Sequence, residues 1–250
     1  MSMLVLSGRI IPASNATFVG EVDGQRVVYK PVAGERPLWD FPEGNLASRE
    51  VAAYAVSEAL GWRVVPRTWL GEGPHGAGML QEWVDDDPDQ APVDVVPLGQ
   101  VPEGHRHVLD ALDGEERPVS LVHEDSVELR RMAVFDVLVN NGDRKGGHVL
   151  APVDSRLPDG HRYGVDHGVS FHVDNKLRTV LWGWLGEPLS DEERAAVAGV
   201  LEDQALAGRL GELLTVAEVA AFHDRCRALL SAGVLPAPSG DWPAIPWPAF

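Results

Sequence analysis

Apolar and polar positions follow two patterns along the chain, and the change lies near residue 85. Before it, short apolar runs are separated by turn residues such as Asp23-Gly24, a pattern that predicts β-strands joined by tight turns. One helix is expected among them at about 45–60, with Asn45 as its N-cap and Gly61 after its last turn. Five strands are expected, at residues 4–11, 16–22, 26–31, 67–70 and 78–83.

The chain after Val84 is predicted to be mainly helical. The charged run 85–89 and a Pro-rich stretch to about Pro102 indicate a boundary between two lobes. Further on we expect a helix at 125–140, short strands at 149–151 and 163–165, and helices behind the capping boxes Ser190-x-x-Glu193 and Thr215-x-x-Glu218, the second ending at Gly233. An α+β protein follows, with an N-terminal lobe at 1–84, a larger lobe at 85–235 and a Pro-rich tail at 236–250.

Composition changes this picture mainly in what the protein is expected to bind. Hydrophobic residues make up 44% and charged residues 24% of the 250 residues, as in ordinary folded domains. With 21 Lys and Arg against 38 Asp and Glu, the net charge is −17, which repels nucleic-acid backbones and anionic lipid surfaces. We therefore expect neither nucleic acid nor a membrane as a partner, and any anionic ligand must be held by local cations or metal ions.

Cysteine content and apolar run lengths bear on localisation. The single Cys226 cannot form an intramolecular disulfide, and no apolar stretch approaches the roughly 18 residues of a membrane span. The first residues also lack the basic region and apolar run of a secretory leader. A cytoplasmic protein is therefore expected.

Lys30 and Glu50 are the first candidates for chemistry. Lys30 follows the apolar residues 27–29, and Glu50 lies in an apolar stripe of the predicted helix. A carboxylate buried there needs a partner, because an unpaired buried charge is strongly destabilising. A strand lysine facing it would be that partner, and kinases use such a pair to hold the nucleotide phosphates. The alternative is an ordinary strand-end lysine and a glutamate on a solvated helix face.

A polar, flexible loop follows the predicted helix 125–140. In it, Asp143 could accept a hydroxyl proton, and Arg144 and Lys145 could neutralise phosphate charge. His148 stands five positions after Asp143, where protein kinases place an Asn that holds a second metal ion. The alternative is ordinary turn chemistry at a helix end.

Asp166 is the third candidate. It follows a short predicted strand and begins Asp166-His167-Gly168, which matches the Asp-x-Gly that binds the metal bridging the β- and γ-phosphates. That tripeptide is common by itself. Its place after Lys30, Glu50 and Asp143, in this order, indicates a bilobal kinase.

Four segments, taken together, resemble the phosphatidylinositol 3/4-kinase-like (HipA-like) branch of the protein-kinase-like superfamily, and within it an uncharacterised actinobacterial family. They are residues 28–31, 49–54, 141–144 and 165–171. The resemblance runs from about Ser7 to Phe171. It implies a bilobal kinase-like fold in which a β-rich lobe with one helix and a mostly helical lobe enclose ATP.

The resemblance also implies a role for each matching residue. Lys30 would contact the α- and β-phosphates, and Glu50 would position it. Asp143 would be the catalytic aspartate, and Asp166 would bind the metal ion.

Two further parts of the nucleotide site match less closely. Ser14 and Asn15 lie in a turn that corresponds loosely to the phosphate-covering loop, and the ordinary Gly-rich loop of protein kinases is absent. Glu82, Trp83 and Val84 lie where the inter-lobe hinge would meet adenine through main-chain groups.

His148 and Lys145 depart from the pattern of the family. His148 replaces the metal-binding Asn, and Lys145 stands where lipid kinases of this branch usually carry His. Imidazole suits transition ions better than Mg²⁺. We therefore expect Mg²⁺ or Mn²⁺ as the cofactor, with the first metal position intact and binding at the second weakened.

The sequence thus predicts an ATP- and metal-dependent phosphotransferase acting on a hydroxyl of a protein or small molecule. A nucleotide-binding pseudokinase or scaffold is one alternative, motivated by His148. Adenylyl transfer on the same fold is another.

Overall fold

The N-terminal part of the chain forms a five-stranded antiparallel sheet. The computed structural model of the protein describes residues 3–11, 15–36, 38–39, 41, 44–240 and 242–250. The strands are β1 (Val5–Arg9), β2 (Phe18–Val22), β3 (Gln25–Pro31), β4 (Thr68–Gly73) and β5 (Gly76–Glu82), in the order β1-β2-β3-β5-β4. The five predicted strands are confirmed, with ends shifted by a few residues.

The turn between β2 and β3 sets which side chains of β3 face the core. Asp23 and Gly24 both have positive φ, 51° and 80°, as a two-residue type I′ hairpin turn requires. With this register, Val27 and Tyr29 are fully buried on one face of the sheet. Because side chains alternate along a strand, Lys30 points to the opposite face.

Helix α1 (Leu46–Ala59) packs beside this sheet and begins at a well-satisfied N-terminus. The side chain of Asn45 accepts the N–H of Ser48, as predicted for an N-cap, and Glu35 accepts the N–H groups of Leu46 and Ala47. Small residues dominate the buried face of the helix, which allows it to lie close to β4 and β5.

A second antiparallel sheet follows, which the sequence did not predict. Its strands are β6 (Val93–Pro97), β7 (His105–Leu112) and β8 (Pro118–Glu124), in the order β6-β8-β7. Pro97 ends β6 and Pro118 begins β8, so both prolines occupy strand ends, where a missing N–H is tolerated.

The remaining elements are largely helical. They are α2 (Val127–Val139), β9 (Val149–Leu150), β10 (Tyr163–Gly164), α3 (Asp191–Glu202), α4 (Gln204–Leu213) and α5 (Val216–Ala232). Both predicted capping boxes are present, and Gly233 ends α5 in the left-handed region. Helix α4 was not predicted. In the described part of the chain, no helix is long and apolar enough to cross a membrane.

Helix α2 lies at the centre of the main hydrophobic core. Leu129, Met132, Phe135 and Leu138 are fully buried there, among residues of α1, α3, α4 and α5. A helix fixed along its length by such packing holds the loop that follows it in a defined place.

Candidate active site

The side chain of Lys30 lies between two carboxylates. Its Nζ donates hydrogen bonds to Glu50 Oε1 at 2.8 Å and to Asp166 Oδ1 at 2.7 Å. The Glu50 side chain is 2% exposed, whereas that of Asp166 is 51% exposed. Glu50 is therefore a buried residue with Lys30 as its partner and does not lie on a solvated helix face.

Charge and burial set the protonation of these three groups. Burial disfavours the charge on Lys30, but Asp166 and Glu50 outweigh it and raise the pKa of Lys30 above its ordinary value. Lys30 holds the pKa of Asp166 well below its usual range, while burial raises the pKa of Glu50 against the pull of Lys30. Asp166 is thus an ionised carboxylate whose side chain is half exposed.

The turn that carries Asp166 is tied to α1. Asp166 has a φ of 61°, in a region that residues other than glycine seldom adopt. The main-chain N–H of His167 donates to Glu50 Oε2 at 2.9 Å. Gly168 permits this approach, because a Cβ there would lie only 3.1 Å from Leu46 Cβ.

Two asparagines anchor the loop that leaves α2. Asn140 ends the helix in the left-handed region, and its side chain donates to two carbonyls of segment 172–174. Asn141 Oδ1 accepts the N–H of Asp143 at 3.0 Å. Asp143 is therefore held at a fixed distance from the end of a rigid helix.

Asp143 projects from this loop beside a lysine. Lys145 Nζ lies 3.4 Å from Asp143 Oδ2. Burial raises the pKa of Asp143, although Lys145 and His148 both act to lower it. A carboxylate with a raised pKa is the better proton acceptor.

Arg144 does not face the cleft. It is fully buried, and its guanidinium donates to both oxygens of Asp136 on α2, at 2.8 and 3.0 Å, and to His167 Nε2. The hypothesis that Arg144 neutralises phosphate charge is therefore wrong, because its guanidinium is already paired with Asp136 inside the protein. The trio Asp136, Arg144 and His167 instead connects α2 to the turn that carries Asp166.

His148 ends the 3₁₀ turn Gly146–His148 with its ring beside Asp166. Its Nδ1 lies 2.9 Å from the carbonyl oxygen of Asp143, and since a carbonyl only accepts, Nδ1 carries the proton. Nε2 then presents its lone pair 3.5 Å from Asp166 Oδ2. Burial lowers the pKa of His148, which favours this neutral ring.

The donor atoms at this point fit a divalent ion. A neutral imidazole nitrogen and an ionised carboxylate oxygen face each other, and a cation relieves the repulsion between two acceptors. Among the described residues no three His, Cys, Asp or Glu side chains form a metal cluster. The protein would therefore supply two ligands, Asp166 and His148, and leave the other positions to phosphate and water oxygens.

A cavity of about 600 Å³ opens on one side of Lys30 and Asp166. We call it the hinge cavity. Its apolar walls come from the five-stranded sheet and from the short strands β9 and β10 and the residues next to them, and include Ile10, Val28, Val84, Leu150 and Val165. Its volume is that of a small-molecule or cofactor site.

The predicted hinge residues all line this cavity, but their main-chain groups differ. The N–H of Glu82 donates to the carbonyl of Arg67, and the N–H of Trp83 donates to that of Arg26. The N–H of Val84 has no partner among the residues that the structure describes. Of the three, only Val84 thus offers a main-chain donor to a ligand.

A second cavity, of about 520 Å³, also borders Lys30 and Asp166. We call it the distal cavity, and its walls include Arg36, Trp39, Leu46, Val169, Arg178 and Trp242. The four residues common to both cavities are Asn15, Lys30, Asp143 and Asp166. Ser14, the other residue predicted in the phosphate-covering turn, lies outside the described residues.

Comparison with known proteins identifies the fold. No protein-family model matches the chain. The chain is 51% identical to Protein Rv2133c of Mycobacterium tuberculosis, over 99% of its length and 92% of that protein. Among solved structures it is similar to the Golgi casein kinase, with a TM-score of 0.55 at 14% identity over 93% of this chain and 71% of the other. The Helicobacter pylori proinflammatory kinase CtkA matches with a TM-score of 0.47 at 11% identity, over 94% and 93% of the two chains. The predicted α+β, protein-kinase-like fold is confirmed.

Proposed function

This chain belongs to the family of Protein Rv2133c, and we propose that it is an ATP- and metal-dependent kinase that transfers a phosphoryl group to a hydroxyl. The observation that carries the proposal is the position of Lys30, bonded to both Glu50 and Asp166 at the junction of two cavities. A cation held in this way can grip phosphate oxygens from a fixed position, which is the main task in phosphoryl transfer.

Each residue of the site has a role in this proposal. Asp143 accepts the proton of the acceptor hydroxyl as its oxygen attacks the γ-phosphorus, and ADP departs as the bond to the bridging oxygen breaks. Lys30 stabilises negative charge on the α- and β-phosphates, and Glu50 holds Lys30 in place.

Asp166 and His148 would hold the metal ion, either Mg²⁺ or Mn²⁺. When bound, such an ion neutralises charge on the phosphate oxygens. Asp166 is suited to this because it is ionised and half exposed to the cleft, and His148 because its Nε2 faces the same carboxylate.

Adenine would occupy the hinge cavity. There the N–H of Val84 is available to an acceptor nitrogen of the base, and Val28 and Leu150 provide apolar surface for its faces. Asn15, with Ser14, would cover the phosphates, and Glu82 and Trp83 would contribute shape and carbonyl groups.

We also propose the finer family placement and the division into lobes. The match of residues 28–31, 49–54, 141–144 and 165–171 supports the phosphatidylinositol 3/4-kinase-like, HipA-like branch. The five-stranded sheet and α1 lie within residues 1–84, and the loop after α2 lies within 85–235, which supports lobes with these bounds. The net charge of −17 supports an acceptor that is not a nucleic acid.

The test uses ATP labelled in two positions. The protein is incubated with Mn²⁺ or Mg²⁺ and with ATP carrying the label on either its γ- or its α-phosphate, and transfer to a low-molecular-mass or protein fraction is measured. A kinase transfers only the γ label. Transfer of only the α label would make the protein an adenylyltransferase, and binding of ATP without transfer of either label would make it a pseudokinase.

Nucleotide binding itself is measured in parallel by calorimetry. Because Lys30 is the main protein cation aimed at the phosphates, we expect binding to require the divalent ion. If ATP gave neither heat nor a shift in melting temperature with Mn²⁺ or Mg²⁺ present, the kinase proposal would be wrong.

A further inference from the structure

The distal cavity includes Asp143 but none of the predicted hinge residues. A molecule bound there would contact Lys30, Asp143 and Asp166, which also line the hinge cavity proposed for the nucleotide. Its volume of about 520 Å³ suits a small molecule. Given the proposed kinase activity, this is the place for the acceptor.

Two arginines in this cavity have no carboxylate partner within the described residues. Arg178 donates through Nε to the carbonyl of Gly142 at 2.6 Å, which fixes its position and leaves its terminal amino groups available. Arg36 is held by its main-chain N–H, which donates to Asn15 Oδ1 at 2.8 Å. Since no carboxylate of the described residues pairs with either guanidinium, both can bind an anion, for which their fork of donors is well shaped.

Four carboxylates also line this cavity, and among the described residues none of them pairs with Arg36 or Arg178. Glu35 is occupied by the first N–H groups of α1, and Glu50 is bonded to Lys30. Asp143 and Asp166 lie at the junction with the hinge cavity. Away from that junction, Arg36 and Arg178 are the cations that line the cavity among the described residues, so an anionic group of a ligand would bind there.

Two tryptophans from distant parts of the chain form another wall. The ring centroids of Trp39 and Trp242 are 6.5 Å apart with 28° between their planes. The ammonium group of Lys176 lies 5.1 Å from the first ring and 4.4 Å from the second, a cation–π contact with both indoles. Such aromatic surfaces suit the carbon skeleton of a small polar molecule.

We propose that the acceptor is a small hydroxylated anion. Arg36 and Arg178 bind its phosphate or carboxylate group in the distal cavity, and its hydroxyl reaches Asp143. In the transfer the hydroxyl oxygen bonds to the γ-phosphorus, the bond from that phosphorus to the bridging oxygen breaks to give ADP, and the proton passes to Asp143. ATP and the acceptor supply every atom, so no further reactant is needed.

The test measures anion binding while the nucleotide site is filled. The protein is saturated with Mn²⁺ and a non-hydrolysable ATP analogue and titrated by calorimetry with inorganic phosphate, glycerol 3-phosphate, glycerate and glycerol. We expect the anions to bind more tightly than glycerol. Whichever of glycerol 3-phosphate and glycerate binds more tightly shows whether the site prefers a phosphate or a carboxylate group. Arg36→Gln and Arg178→Gln should each weaken anion binding about tenfold, the effect of one charge-assisted hydrogen bond.

The matched control is Arg209→Gln, which removes one positive charge from the exposed surface of α4 and should leave the affinity for the anions unchanged. Equal phosphate affinity in the wild type and both cavity variants would overturn the proposal. So would weaker binding of the ATP analogue in Arg178→Gln, which would assign the arginine to the nucleotide. Tighter binding of an acidic serine peptide than of glycerol 3-phosphate would assign the cavity to a protein acceptor.

Failure of the kinase proposal gives a different result. If the wild type does not bind the ATP analogue, the proposed function is wrong, and titration of the nucleotide-free protein with phosphate still tests Arg36 and Arg178. Phosphate binding that both substitutions weaken would then retain the anion site without the phosphoryl transfer.

Discussion

Lys30 bonds to two carboxylates, Glu50 and Asp166, that have different roles. Glu50 is buried and its pKa is raised by that burial, so its negative charge is costly and depends on Lys30. Asp166 is half exposed, and Lys30 keeps its pKa low. Glu50 therefore positions Lys30 and the turn that carries Asp166, whereas Asp166 remains available to a cation.

Substitution of the two aspartates should have separate effects. Asp143→Asn removes the proton acceptor and should reduce turnover by about 10²–10⁴ while ATP affinity stays unchanged. Asp166→Asn should weaken metal-dependent ATP binding itself. Turnover and calorimetric affinity are measured for both, with the exposed Asp224→Asn on α5 as control. Equal loss of affinity in Asp143→Asn and Asp166→Asn would mean that one role is misassigned.

His148 should set the preference for the metal ion. Its Nε2 faces Asp166, and nitrogen ligands favour later first-row ions over Mg²⁺. We expect the ATP analogue to bind more tightly with Mn²⁺ than with Mg²⁺. In His148→Asn the difference in affinity between the two ions should be smaller. His107→Asn on β7 changes an exposed histidine and serves as control. An identical preference in wild type and His148→Asn would remove His148 from the coordination shell.

The helices and strands that the sequence predicted best are those whose ends are set by a local rule. The β2–β3 turn, the Asn45 cap and both capping boxes depend on neighbours within three positions, and all are present. The sheet of β6, β7 and β8 was missed because its prolines resemble a linker, although Pro97 and Pro118 stand at strand ends.

The candidate site shows the same limit. Lys30 and Glu50 could be paired from the sequence because a carboxylate in an apolar stripe requires a cation. Arg144 was misread because its partner Asp136 is eight positions away, and only the course of the loop after α2 brings the two together. The distal cavity had no motif, since its arginines and tryptophans come from three separate segments of the chain.

The sheet of β6, β7 and β8 contains a histidine that should make the stability of the protein depend on pH. His123 on β8 is fully buried, with Nδ1 donating to the carbonyl of Glu124 and Nε2 accepting the N–H of Gly183. Burial lowers its pKa from 6.5 to about 4. Protonation would also break the bond to Gly183, which joins the second sheet to the 3₁₀ turn Trp182–Trp184.

The unfolded chain takes up this proton below pH 6.5, whereas the folded protein resists it until about pH 4. The stability from neutral His123 is therefore present above pH 6.5 and lost as the pH falls toward 4, by about 3 kcal/mol. Urea unfolding across this pH range should show that His123→Gln loses less unfolding free energy than the wild type does. An unchanged pH dependence in His123→Gln, equal to that of the exposed control His107→Asn, would contradict this.

The site also depends on contact between distant parts of the chain. Arg49 on α1 bonds to Glu218 on α5, 169 positions later, with Nη2 to Oε1 at 2.6 Å and Nε to Oε1 at 3.1 Å. Both side chains are buried, and Glu218 also caps α5 through Thr215. Because Glu50 follows Arg49, this ion pair fixes the part of α1 that positions Lys30.

Arg49→Met should therefore destabilise the protein and weaken nucleotide binding. It leaves the carboxylate of Glu218 buried without its cation, an effect of about 3–5 kcal/mol on the free energy of unfolding. Adding Glu218→Gln should restore part of that loss, because no buried charge then remains unpaired. The matched control is Arg227→Met, which breaks an exposed pair with Asp224 on α5 and should cost less than about 1 kcal/mol.

Nucleotide affinity decides whether this ion pair also serves the site. At a temperature where Arg49→Met is still folded, its affinity for Mn²⁺ and the ATP analogue should fall, because a displaced α1 moves Glu50 away from Lys30 and weakens the hold on the phosphates. Arg227→Met should bind as the wild type does. If Arg49→Met lost stability while keeping full affinity, the ion pair would support the fold alone, and the position of Glu50 would be set by the sheet and by its bond to His167.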